Sequence, residues 1–113
     1  MTIPVHLLAS DASGFDLLEA TELLECTAVV FPENRQESLK VKDLREVAND
    51  LGLPTFMHHR GADLPDGMPP AECGVSWMYS QILPVAALSK YRLGLLNMHG
   101  GHIPTYRGSN VLQ

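Results

Sequence analysis

Cysteine is scarce in this chain, with only Cys26 and Cys73 among 113 residues and no Cys-x-x-Cys spacing. A disulfide framework is therefore disfavoured, and both thiols are expected to be small core residues. Positive charge is scarce too: 8 Lys and Arg stand against 13 Asp and Glu, a formal charge of -5. The densest basic stretch, Lys40 to Arg45, is interrupted by Asp43. Phosphate backbones are gripped by clustered Lys and Arg, so this balance argues against a broad nucleic-acid footprint. Long apolar runs are missing as well. The longest uncharged stretch, Cys73 to Ser89, holds Gly, Ser, Tyr, Gln and Pro and makes a poor membrane span. The N-terminus has no basic segment followed by an apolar run, which argues against a secretory signal and makes the cytoplasm the expected compartment.

What is present suits one small domain over residues 1–113, since 45% of the chain is hydrophobic and can form a buried core. Ile3 to Ala9 reads as a buried first strand, with Pro4 tolerable near its start. Phe15 to Leu24 has helical spacing and can be capped by Asp11 or Ser13. Cys26 to Phe31 is β-branched and apolar, a second strand stopped by Pro32. Glu33 to Lys40 reads as a polar loop. The next helix is predicted over Val41 to Leu51, closed by Gly52. Pro54 to Met57 is a short third strand, and the Pro-rich segment Arg60 to Glu72, with Gly61 and Gly67, is a loop. Cys73 to Met78 forms a fourth strand, Pro84 opens a helix to about Lys90, and Leu93 to His99 forms a fifth strand. Gly108 to Gln113 looks like the start of another helix, so the chain is expected to be a shortened form of a longer domain. Alternating strands and helices imply right-handed crossovers and an α/β architecture with a mostly parallel sheet.

Two polar residues stand out. Asn97 and His99 are two apart at the carboxyl end of the fifth strand, so they share one face while Leu96 and Met98 take the other. Ligands of open parallel sheets bind beyond the strand carboxyl ends, which puts an amide and an imidazole at the useful edge. A polar strand end that merely satisfies the following turn is the plainer alternative. After them, Gly100 and Gly101 permit a tight turn or a close backbone approach, and Pro104 stiffens the path to Gly108.

The block Asn97-x-His99-Gly100-x-x-x-Pro104-x-x-Arg107-Gly108 resembles the Asn-x-His-Gly-Ser-Leu-Leu-Pro-x-x-Arg-Gly signature of the folate-dependent formyltransferases. Upstream, Met78-Tyr79-Ser80-Gln81-Ile82-Leu83-Pro84 resembles that family's Tyr-Gly-x-Ile-Leu-Pro element, and Leu51-Gly52-Leu53-Pro54 matches its usual helix-to-strand join. The resemblance implies a Rossmann-like sheet of about five strands in the order 3-2-1-4-5. It also implies formyl transfer from 10-formyltetrahydrofolate to an amine through a tetrahedral intermediate, with Asn97 and His99 as the catalytic pair. Tyr79, Gln81, Ile82, Leu83 and Pro84 would form the pterin wall, and Gly100, Gly101, His102, Pro104 and Arg107 the substrate loop. Gly101-His102 replaces the family's Ser-Leu. The family's catalytic Asp, some thirty to forty positions beyond the signature, has no counterpart, so this chain alone is expected to show little or no turnover.

The acceptor stays open between methionyl-tRNA, a nucleotide sugar and a smaller amine. A tRNA is not supported by the charge balance, because Glu33 to Lys40 is nearly neutral and lacks glycine where the tRNA-directed members carry a basic loop. A non-catalytic fragment that binds folate or a partner is a further alternative. His58, His59, His99 and His102 invite a metal reading, but zinc wants three or four ligands and no carboxylate lies near in sequence, so no metal is expected. His58 and His59 are expected to cap the third strand or face solvent. Ser10 to Gly14 lacks Gly-x-Gly-x-x-Gly, which makes NAD improbable. Trp77 is expected in the core, with a place beside the pterin wall as the alternative. Oligomeric state is unknown from sequence.

Overall fold

The computed structural model describes residues 1–98 of the chain. Five parallel strands form one sheet in the order β3-β2-β1-β4-β5: β1 Ile3–Ala9, β2 Leu24–Pro32, β3 Thr55–His58, β4 Cys73–Trp77 and β5 Leu95–Met98. The expected Rossmann-like α/β class and strand order are both met. Three helices connect them, α1 Ser13–Glu19, α2 Leu39–Asp50 and the short α3 Val85–Leu88.

β1 is the centre of the sheet, and its alternating side chains feed two cores. Val5, Leu7 and Ala9 join Val29, Phe31 and Val75 under α1 and α2, which contribute Phe15, Leu18, Val41, Leu44 and Ala48. Leu8 and Val30 face the other way, against Leu64, Ala87 and Tyr91 from the Pro-rich crossover and α3. The helices thus change faces where the strand order reverses, between β1 and β4. That reversal opens a crevice at the carboxyl edge, where ligands of such sheets bind.

Several boundaries differ from expectation for local reasons. α1 stops at Glu19 and does not run to Leu24, because Leu24 pairs with Ile3 at the start of β2. Ala12 holds the cap position, while Asp11 accepts the Ser13 backbone N–H at 2.9 Å. The stretch expected as loop holds a single 3₁₀ turn, Glu33–Arg35, and α2 begins at Leu39 with Ser38 Oγ accepting the Val41 N–H at 3.2 Å. α3 is one turn long, with Pro84 as its cap. β5 begins at Leu95, since Gly94 has φ 91°, a left-handed conformation that interrupts an extended strand. No described helix is long and apolar enough to cross a membrane.

Candidate functional site

Three strands release their chains at one edge of the sheet, and side-chain hydrogen bonds tie the three exits together. β2 ends at Pro32 and passes into the 3₁₀ turn that carries Asn34. β3 ends at His58, followed by Arg60 and Gly61. β4 ends at Trp77, where Met78 turns the chain with φ 51°, the one non-glycine residue with a left-handed backbone among those described. This turn carries Tyr79 over to the α3 side of the sheet, against the Leu8 and Val30 cluster.

A cavity of about 430 Å³ lies between these exits, lined by Asn34, Arg60, Gly61, Ser80, Gln81, Ile82 and Pro84. A second, of about 350 Å³, adjoins it at Ser80 and is lined by Ser10, Asp11, Arg35, Ser38, Lys40 and Met78. Ser80 links the two: its Oγ donates to Asn34 Oδ1 at 2.9 Å, and it accepts from Ser10 Oγ at 3.4 Å. Ser10 follows β1, so the pair spans the point where the strand order reverses.

Of the five residues expected to form a pterin wall, Gln81, Ile82 and Pro84 line the larger cavity, whereas Tyr79 and Leu83 pack into the core beneath it. Ile82 is 88% exposed and forms an apolar lip. Gln81 is only 8% exposed and has both ends engaged: Oε1 accepts the Asn34 N–H at 2.7 Å and Nε2 donates to the His58 carbonyl at 2.9 Å. Both N–H groups of its amide go to His58, one to the carbonyl and one to Nδ1 at 2.9 Å. Burial, aided by the neighbouring Tyr91, drives the Tyr79 hydroxyl well above the usual phenol range, which keeps it a neutral donor.

Asn97 lies on β5 in register with Ser76 and is exposed. It does not line the larger cavity. His99, Gly100, Gly101, His102, Pro104 and Arg107 lie outside the described residues. Trp77 packs beside α1, where its indole N–H donates to Ser13 Oγ at 2.7 Å; it belongs to the core face opposite Tyr79 and is not part of the wall. His58 is the last residue of β3, in keeping with the expectation that it caps its strand, and at 0% exposed it does not face solvent. His59 is exposed beside Glu33, 3.7 Å away. No group of three metal-ligating side chains occurs among the described residues.

Asn34, Arg60 and Gly61 are the cavity residues that lie outside the motifs, whereas Ser80 stands inside the Tyr79–Pro84 segment without having been named as a wall residue. Each follows the carboxyl end of a strand, and that topological rule alone could have found them.

Fold and crevice define the class: a Rossmann-like α/β protein with a cavity at the carboxyl edge of a parallel sheet. Within that class, the chain is similar to methionyl-tRNA formyltransferase from Pseudoalteromonas translucida (strain TAC 125), with 32% identity over 87 residues. The match covers 73% of this chain and 27% of the relative, so the chain spans about a quarter of that protein's length. The likeness supports a formyltransferase-like family. No family model matches the chain.

Proposed function

We propose that this chain forms the folate-binding front part of an enzyme that moves a formyl group from 10-formyltetrahydrofolate to an amine. One observation carries the reading. The cavity at the carboxyl ends of β2, β3 and β4 is lined by Gln81, Ile82 and Pro84, three of the five residues expected to form a pterin wall. Its volume of about 430 Å³ falls within the range of small-ligand sites. Ile82 offers apolar surface to a flat heterocycle, and Asn34, Arg60 and Ser80 supply polar groups around it.

The bound donor supplies an activated formyl carbon. Asn97 donates its amide N–H toward the negative charge that grows on the formyl oxygen as the amine attacks, a contribution on the order of 3–4 kcal/mol for such a donor. His99, two residues further on, takes the proton that the amine loses and returns it to the departing folate nitrogen. The acceptor is an amine. Methionyl-tRNA is the acceptor in the relative's name, and the balance of 8 basic against 13 acidic residues lends a large RNA surface no support here.

Titration calorimetry with 5-formyltetrahydrofolate, a stable folate, tests the reading on the chain as it stands. Saturable one-site binding is expected, and Ile82→Asp should weaken it on the order of tenfold by placing a charge on the apolar lip. A wild-type chain that gives no saturable heat with this probe rejects the proposal.

A further inference from the structure

His58 ends β3, and all of its hydrogen bonds go to protein groups around the cavity. Its Nε2–H donates to the Ala62 carbonyl at 2.8 Å, which makes that nitrogen the donor and leaves Nδ1 as an acceptor. Two donors converge on Nδ1: the Tyr79 hydroxyl at 2.8 Å and the Gln81 amide at 2.9 Å. The Tyr79 ring also stacks on the imidazole, with centroids 5.8 Å apart and planes 25° apart. Gln81 then reaches on to Asn34, whose side-chain amide donates to the Ser80 carbonyl at 3.4 Å.

The strand order explains why this cluster matters. β3 and β4 are separated by β2 and β1, so no backbone ladder connects their carboxyl ends. Above the sheet, the chain exits of β2, β3 and β4 are joined by the side chains of Asn34, His58, Tyr79 and Gln81. Tyr79 and Gln81 flank Ser80, and Gln81 immediately precedes Ile82, so fixing them fixes the lip of the cavity. A buried imidazole with every ring nitrogen paired is costly to disrupt, because each partner left behind loses its own hydrogen bond out of reach of water.

We infer that His58 is a positioning residue: by holding Tyr79 and Gln81 it sets the path of the Tyr79–Pro84 segment and so the shape of the cavity. The ligand arm of this inference rests on the folate reading; the positional arm does not.

The test measures amide hydrogen exchange by NMR and 5-formyltetrahydrofolate affinity by calorimetry for wild type, His58→Leu, His58→Asn and Tyr79→Phe. His58→Leu should speed exchange of the Asn34 amide, which Gln81 holds, and weaken folate binding, each on the order of tenfold, the equivalent of one lost buried hydrogen bond. His58→Asn can set an amide oxygen near the position of Nδ1 and should recover part of both losses, which a merely space-filling role would not predict. Should His58→Leu fail to fold, Tyr79→Phe gives a second readout, since it keeps both rings and the Asn34–Gln81 bond and removes only the hydroxyl that reaches Nδ1. Exchange at Asn34 unchanged in the folded variants overturns the inference. If wild type binds no folate, the proposed function fails, and the exchange rates alone decide the role of His58.

Discussion

Gly74 lies within β4 where the strand passes beneath Tyr91. A Cβ at this position would meet Leu95 Cδ1 at 2.5 Å and the Tyr91 ring at 2.8 Å. Leu95 can rotate away, but Tyr91 is held: its hydroxyl donates to His6 Nδ1 at 2.8 Å, and its ring meets the imidazole edge-on at 5.4 Å. Gly74→Ala is therefore expected to destabilise the fold by about 1–3 kcal/mol through overpacking. Urea unfolding should show a lower midpoint at an unchanged slope, and an unchanged midpoint would mean that Tyr91 yields easily. Residue identity was a good guide to the cysteines. Both are free and packed against the larger core, and burial pushes the Cys26 thiol up to about 11, so it remains protonated. For Gln81 and His58 it was a poor guide, because a polar side chain looks alike in sequence whether it faces a ligand or a buried neighbour. Only the coordinates show that these two face each other.

Among the elements, those with a strong apolar pattern were the most legible. All five strands lie where β-branched and apolar runs put them, and α2 repeats Val41, Leu44 and Ala48 on a fully buried stripe. The ends were less legible, since they are set by tertiary pairing: Leu24 is drawn from a helical pattern into β2 by its register with Ile3. The start of α2 shows a different limit. Ser38 sits in a stretch that reads as polar loop, yet it is the cap of the longest helix among the described residues. Ser38→Ala removes the acceptor for the Val41 N–H and should cost about 1 kcal/mol, within the roughly 0.5–2 kcal/mol range of such caps. Thermal unfolding followed by circular dichroism measures this. Ser38→Asp should retain most of the stability, since it keeps an oxygen at the cap and adds a negative charge at the helix N-terminus.

On the scale of the whole molecule, the sheet order and the edge that carries the cavities follow from alternating strands and helices. The cavity walls themselves required the fold, because they gather Asn34, Arg60 and Ser80 from three separate crossovers. The core face that also carries Tyr79 and Leu83 offers a global test of the same kind. His6, in the middle of β1, is 5% exposed and links two distant segments: Nδ1 accepts from the Tyr91 hydroxyl, and Nε2–H donates to the Pro69 carbonyl at 2.6 Å. Asp66 and Lys90 line the adjoining cavity, and Lys90 lies 3.7 Å from Asp63. Burial lowers the His6 pKa from its ordinary 6.5, against a smaller opposing effect of the Pro69 carbonyl. Below 6.5 the unfolded chain therefore binds this proton more readily than the folded one. The stability associated with neutral His6 is fully present above 6.5 and is lost as the pH falls toward the folded value. Urea unfolding between about pH 7.5 and 5 should show stability falling with acidification, and His6→Gln should flatten that dependence while lowering stability at neutral pH. Equal slopes in the two proteins would mean that the acid sensitivity comes from other groups, and the link from β1 to the Pro-rich crossover would then carry no proton-coupled stability.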